Sequence, residues 1–253
     1  MIQGILLDLS GVLYTGNQVI PGALTAMQKL MDKNLPVRYI TNTTRKPSST
    51  IVKQLSVMGF SVKPEELFTA PIAARDYLKA NRLNPCLLVH PDLEEEFNAC
   101  IHEDKVKAVV VGDAAEGFSY ERMNQAFRFL LEDADLIALG VNRYFREGDR
   151  LWLDAGPYIK ALEFASGKTA RVFGKPAPAF YMSALDNMGC QPEATIMVGD
   201  DIESDVIGAV NAGLQGILVQ TGKYRAGDET RLPDNAVCVE DISAAVEYIL
   251  EHC

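Results

Sequence analysis

The chain has little positive charge, and none of it is concentrated. Its 24 lysines and arginines stand against 34 aspartates and glutamates, a formal net charge of −10, and no basic run exceeds two residues. A surface of that kind repels nucleic acid and anionic membranes, so neither is expected as a partner. An anionic substrate must instead be drawn in locally, by a metal ion, one lysine or helix N-termini. Cysteine is sparse and unpatterned: Cys86, Cys100, Cys190, Cys238 and Cys253 are odd in number, widely spaced and without a C-x-x-C pair. That excludes a disulfide framework and offers no zinc site. His90, His102 and His252 lack metal-ligand spacing and are expected at the surface. No apolar run approaches a membrane span. The N-terminus lacks a charged segment followed by an apolar stretch, so a cytosolic protein without a signal peptide is expected. In that setting the acceptor-like Asn42-Thr43-Thr44 carries little meaning.

What is present is ordinary for a globular protein. Hydrophobic residues make up 48% and charged residues 23% of 253 positions, enough for one large domain or two modest ones. The organising stretch is Ile5-Leu6-Leu7-Asp8-Leu9-Ser10-Gly11-Val12-Leu13. An apolar run meeting an aspartate reads as a buried parallel strand whose carboxyl end faces a crevice. Gly11 permits a sharp turn and close approach of backbone N–H groups to an anion.

Strand and helix patterns then alternate. A helix opens at Pro21-Gly22 with Leu24, Met27, Leu30 and Met31 as its apolar stripe, and a strand from Leu35 to Ile40 ends at Thr41-Asn42-Thr43. Helices with Ile51, Leu55 and Met58 inward and from Ile72 to Ala80 flank a weak strand, Leu67-Phe68-Thr69. Asn81 to Pro85 reads as a linker. A second alternating set follows it, with Arg143 to Arg150 as a charged loop and a helix starting at Pro157. The first pattern resumes at Arg171. It includes a strand ending at Gly199-Asp200-Asp201, one helix carrying Val206 and Val210 to Gly213, and a final helix with Ile242, Ala245, Val246, Ile249 and Leu250 on one face. The expectation is an α/β protein: a parallel-sheet core from residues 1–81 and 171–253, interrupted by a smaller α/β unit at residues 82–170.

Four pieces fall at strand ends or helix starts of that core: Asp8 with Ser10, Thr41-Asn42, Lys175, and Asp200-Asp201 with Asp205. Parallel strands present their carboxyl ends on one edge, so these distant residues can converge. Asp8, Asp200 and the backbone carbonyl of Ser10 make three oxygen ligands for a hard cation such as Mg²⁺. The Thr41 hydroxyl and the N–H groups of Asn42 and Thr43 suit phosphate oxygens, and Lys175 supplies a point charge. With repulsion so reduced, Asp8 can attack phosphorus and form an aspartyl-phosphate that water hydrolyses. Asp201 is expected to be structural or to stand behind the ligands. Asp205 has two open readings: holding a metal-bound water or orienting Lys175, or acting as an acidic charge at a helix N-terminus.

The motifs D-x-S-G-V-L at Asp8, T-N at Thr41, G-K-P at Lys175 and G-D-D-x-x-x-D at residues 199–205 resemble, in this order, those of the haloacid dehalogenase superfamily. The resemblance covers essentially the whole chain, and the insertion between Thr41 and Lys175 is similar to that of the subclass with a large α/β cap. It implies a Rossmann-like core, Mg²⁺-dependent release of phosphate from a small phosphorylated substrate, and a homodimer formed through the cap. Most phosphatases of the superfamily carry a general-acid aspartate two residues after the nucleophile; here that residue is Ser10. The stretch from Gly140 to Pro176 resembles the phosphohistidine phosphatases, which have serine there too. A hydroxyl is a poor proton donor at neutral pH. Substrates whose leaving groups need little protonation, pyrophosphate and phosphoramidates, are therefore expected ahead of sugar phosphates or nucleotides. A slow phospho-ligand binder on the same fold is the alternative.

Other features have plainer readings. Val109-Val110-Val111-Gly112-Asp113 mimics the strand before Asp200 but lacks the later aspartate, because Phe118 stands there, and is expected to be an ordinary strand end. Gly216 to Lys223 has the wrong spacing for a nucleotide-binding loop. Trp152 and Tyr158 are candidates for a substrate entrance or for core packing. Arg143 and Asp154 are candidates for substrate choice by analogy only.

Overall fold

The computed structural model describes the backbone of residues 1–102, 104–147 and 149–253, with every side chain in them except those of residues 146, 147 and 187. In chain order the elements are β1 (Gly4–Asp8), β2 (Tyr14–Thr15), β3 (Gln18–Val19), α1 (Ala23–Asp32), β4 (Val37–Thr41), α2 (Ser48–Val57), β5 (Leu67–Thr69), α3 (Ala70–Asn81), β6 (Pro85–Leu88), β7 (Ala108–Val111) and α4 (Tyr120–Leu131). They continue with β8 (Asp135–Ala138), β9 (Tyr144–Glu147), β10 (Arg150–Leu153), α5 (Ala155–Ser166), β11 (Arg171–Val172), α6 (Pro178–Met188), β12 (Thr195–Gly199), α7 (Gly208–Asn211), β13 (Gln215–Val219), β14 (Ala236–Val239) and α8 (Ile242–Glu251). Among the described residues no helix is long and apolar enough to cross a membrane.

Residues 1–41, 51–68 and 175–253 form one compact unit, and residues 42–50 and 69–174 a second. The expected dividing points, 81/82 and 170/171, stand 13 and four residues from the 68/69 and 174/175 boundaries of this division, which also places residues 42–50 in the second unit. Helix α3 and strand β11 fall in the second unit, where β11 pairs with β8.

The first unit is built on a six-stranded sheet in the order β14-β13-β12-β1-β4-β5. Strand β1 pairs in parallel with β12 (Gly4 opposite Thr195) and with β4 (Asp8 opposite Ile40). Every residue of β1 and β12 is buried, as expected of central strands covered on both faces. Helix α8 buries Ile242, Ala245, Val246 and Ile249, and the Asp241 carboxylate caps it by accepting from the N–H groups of Ser243 and Ala244. In α1 the buried stripe is Ala23, Ala26, Met27 and Leu30, whereas Leu24 and Met31 of the expected stripe are exposed. The i, i+3, i+4, i+7 spacing, not side-chain size, sets the face.

The second unit carries a four-stranded sheet, β11-β8-β7-β6, with α4 and α5 contributing Ala126, Leu130, Ile159 and Leu162 to its core. The segment from Arg143 to Arg150, expected as a loop, instead contains strand β9 and enters β10. These two pair antiparallel with Tyr144 opposite Leu153, and Gly148 lies outside the described residues. Tyr144 and Phe145 before the charged residues, and Leu151-Trp152-Leu153 after them, are strand-favouring side chains that the polarity between them conceals.

Candidate active site

Asp8 is the last residue of β1, and Asp200 directly follows β12, the strand beside it. The parallel pairing brings both carboxylates to one edge of the sheet. Asp205 joins them: carboxylate oxygens of Asp8, Asp200 and Asp205 all lie within 4.8 Å of one another. Lys175 closes the group, its Nζ donating to Asp8 Oδ1 at 2.5 Å and to Asp205 Oδ1 at 2.7 Å. All four side chains are buried.

Local structure explains how Asp205 reaches the group. The single regular helix expected after Asp201 is replaced by wider π turns over Ile202–Ile207, followed by α7. There the N–H of Val206 donates to the carbonyl of Asp201, five residues back. Asp205 is thereby turned inward, and its second oxygen accepts the N–H of Asp201 at 3.1 Å. It contacts Lys175 and also lies in the first turn of the Ile202–Ile207 segment, so both readings of it have a counterpart in the geometry. Asp201 caps the segment that follows it and pairs with a lysine. Its Oδ1 accepts from the N–H groups of Glu203 and Ser204, and its Oδ2 pairs with Lys223 at 3.1 Å.

Two glycines make room for the carboxylates. A Cβ on Gly11, whose φ is +90°, would stand 1.9 Å from Asp200 Oδ2, and one on Gly222 would stand 2.0 Å from the same atom. Next to Gly222, the N–H of Lys223 donates to Asp200 Oδ2 at 2.7 Å. The Gly222-Lys223 turn is a part of the site that the sequence reasoning set aside. It follows β13, a parallel neighbour of β12, so its place at the sheet edge was available from strand order.

The electrostatics follow from burial. Burial pushes the Asp8 carboxyl up to about 7; Lys175 opposes this, while Asp205 and Asp200 add to it. Asp200 is pushed up to about 6 by burial and by Asp205. Burial works against the charge of Lys175, but Asp205 and Asp8 outweigh it and hold the ammonium above its usual range. Burial also acts to raise Asp201, yet the Ser204 N–H and Lys223 hold it below the usual carboxylate range. Three carboxyl groups share one ammonium, so ionising them all leaves the buried oxygens short of positive charge. Such a donor set fits a divalent hard cation, with Asp8 and Asp200 the residues to hold it.

Of the other expected residues, Thr41 ends β4 next to the position opposite Asp8, and Ser10 follows β1 with an exposed side chain and a bridge to Tyr14. Asn42 and Thr43 begin the segment that belongs to the second unit. Also in that unit, Asp154 caps α5 by accepting from Ala155 N–H, Tyr158 stacks on Phe118 at 3.7 Å, and Trp152 is half exposed.

A parallel sheet with paired aspartates, a lysine and a third aspartate in this arrangement defines a class of hydrolases. The chain belongs to the haloacid dehalogenase-like hydrolase family: a model of that description matches residues 5–103, and a second, HAD-hydrolase-like model matches residues 172–245. It is 41% identical over 252 residues to haloacid dehalogenase-like hydrolase domain-containing protein 2 of Bos taurus, covering 99% of this chain and 97% of that one. It is 43% identical over 256 residues to the phospholysine phosphohistidine inorganic pyrophosphate phosphatase of Danio rerio, covering 98% and 94%. Among solved structures it is similar to the 4-nitrophenylphosphatase of Thermotoga maritima, with a TM-score of 0.87, 26% identity and 97% of both chains covered.

Proposed function

We propose that the protein is a Mg²⁺-dependent phosphatase acting through an aspartyl-phosphate on Asp8, with pyrophosphate or phosphoramidates as preferred substrates. The observation that carries this is the buried group of Asp8, Asp200 and Asp205 around Lys175. The similarity to relatives named as phosphatases supports it.

In this reading Asp8 Oδ attacks phosphorus. The bond to the leaving group breaks as the carboxylate–phosphorus bond forms, and water then releases inorganic phosphate and restores the carboxylate. Lys175 neutralises charge on Asp8 and the phosphoryl oxygens, and Asp205 keeps the lysine charged and aimed. The Thr41 hydroxyl and the N–H groups of Asn42 and Thr43 bind phosphate oxygens. The cation, held by Asp8, Asp200 and the Ser10 carbonyl, would supply charge compensation between two anions. The second unit takes the role of a lid that selects the leaving group. Its exposed Leu151, Trp152 and Leu153 support pairing of two chains through it.

The test is release of phosphate from pyrophosphate, phosphoramidate and sugar phosphate, with Mg²⁺ and with chelator. Cation-dependent turnover that Asp8→Asn abolishes without changing the far-UV spectrum is the expected result. Turnover surviving that change removes Asp8 as nucleophile. Preference for the sugar phosphate supports the monoester reading. Binding of phosphate compounds without turnover of any of them leaves a phospho-ligand binder.

A further inference from the structure

The second unit contains a buried carboxylate that the proposed chemistry does not use. Asp113 stands just past β7 and is 5% exposed. A buried carboxylate is costly unless paired, and its partner lies on the segment that begins one residue after Thr41. Arg45 Nε donates to Asp113 Oδ2 at 2.5 Å, and the Arg45 guanidinium lies 4.4 Å from the centre of the Phe145 ring. The N–H of Asp113 donates to Thr44 Oγ1 at 3.4 Å, while its Oδ1 accepts the N–H of Ala115 at 3.0 Å. Further along the same segment, Ser48 donates its N–H and its hydroxyl to Glu96 Oε2 at 3.0 and 2.7 Å, and Arg75 holds the other oxygen of Glu96 at 2.5 Å. Residues 42–50 are therefore fastened at two points, and Arg45 with Asp113 is the fastening nearer to Asn42 and Thr43.

We propose that Arg45 and Asp113 are positioning residues for the substrate's phosphate: their ion pair fixes the backbone from Asn42 to Arg45, so that the N–H groups of Asn42 and Thr43 are ordered before phosphate arrives. The inference rests on the assignment of those N–H groups to phosphate in the proposed function. Donors held in one conformation bind without a fresh ordering cost, and the same donors on a loose loop do not. Because they grip phosphate oxygens in the ground and transition states alike, losing their order raises KM and leaves kcat nearly unchanged.

The experiment compares wild type, Arg45→Ala, Arg45→Lys, Asp113→Asn and the double variant Arg45→Ala/Asp113→Asn. Asp113→Asn keeps an acceptor for Ala115 while removing the charge. Measured quantities are KM and kcat on pyrophosphate, inhibition by inorganic phosphate, and amide hydrogen exchange across residues 41–47. Arg45→Ala and Asp113→Asn are each expected to raise KM and the phosphate inhibition constant about tenfold, with kcat within about twofold. Exchange at Asn42 to Arg45 is expected to quicken. The double variant should be no worse than the worse single, and Arg45→Lys should keep most of the affinity. Unchanged KM in an enzyme that turns over, or fully additive single effects, overturns the proposal. A wild type without Mg²⁺-dependent turnover defeats the proposed function instead; the exchange measurement then decides the tether alone, and unchanged exchange in Arg45→Ala sinks it.

Discussion

Ser10 stands two residues after the proposed nucleophile, and its hydroxyl cannot protonate a departing alkoxide as a carboxylic acid can. General acid catalysis contributes on the order of 10²–10⁴ in rate when the leaving group needs a proton. Pyrophosphate and phosphoramidate leaving groups need less of that help than an alkoxide. Ser10→Asp is therefore expected to raise the ratio of sugar-phosphate to pyrophosphate turnover by at least about tenfold, read from kcat/KM for both substrates. An unchanged ratio would show that something other than residue 10 sets leaving-group preference. The exposed Ser10 side chain leaves space for the larger carboxylate. Gly11 beside it has no such freedom, since its positive φ and the 1.9 Å approach of Asp200 Oδ2 bar any side chain.

At the scale of elements, central strands and strongly periodic helices were legible in the chain, and local irregularities were not. β1, β12 and α8 announce themselves by an apolar run or by a repeat of 3.6, because burial alone decides them. Asp8 and Asp200 were legible for the same reason, each being where an apolar strand meets a carboxylate. The π turns at residues 202–207 were hidden, since the local apolar pattern there does not differ from that of an ordinary helix, and the contact they allow is with Lys175, 30 positions away. The Gly222-Lys223 turn was hidden because only strand order brings it to Asp200. The β9–β10 hairpin was missed because its charged residues read as a loop. That hairpin carries the chain's single tryptophan, Trp152, half exposed between Leu151 and Leu153, which are 57% and 61% exposed. If two chains pair there, tryptophan emission should shift to the red on dilution as the dimer dissociates. Leu151→Ser with Leu153→Ser should give a monomer by light scattering. A dimer that persists in this variant with unchanged emission would move the contact elsewhere.

For the molecule as a whole, the buried acidic group makes stability depend on pH and cation together. Without cation, Asp8 and Asp200 hold protons in the folded state up to about 7 and about 6, whereas their ordinary value is 3.8. Between pH 4 and 7 the folded protein therefore binds more protons than the unfolded chain, and stability from these groups falls as pH rises, levelling off above 7. A divalent cation binds the ionised form and competes with those protons, so its stabilisation grows in the same direction. At a hundredfold excess over its dissociation constant a ligand adds about 2.7 kcal/mol, which for a chain of this length raises Tm by roughly 5–10 °C. In chelator, Tm should decline from pH 5 to pH 8. Added Mg²⁺ should raise it by that amount at pH 8 and by much less at pH 5, and Asp200→Asn should remove most of the difference. An equal Mg²⁺ shift at both pH values would mean that the cation binds outside this group. The net charge of −10 would then attract it only diffusely, and high monovalent salt would screen that attraction away while leaving a coordinated ion in place.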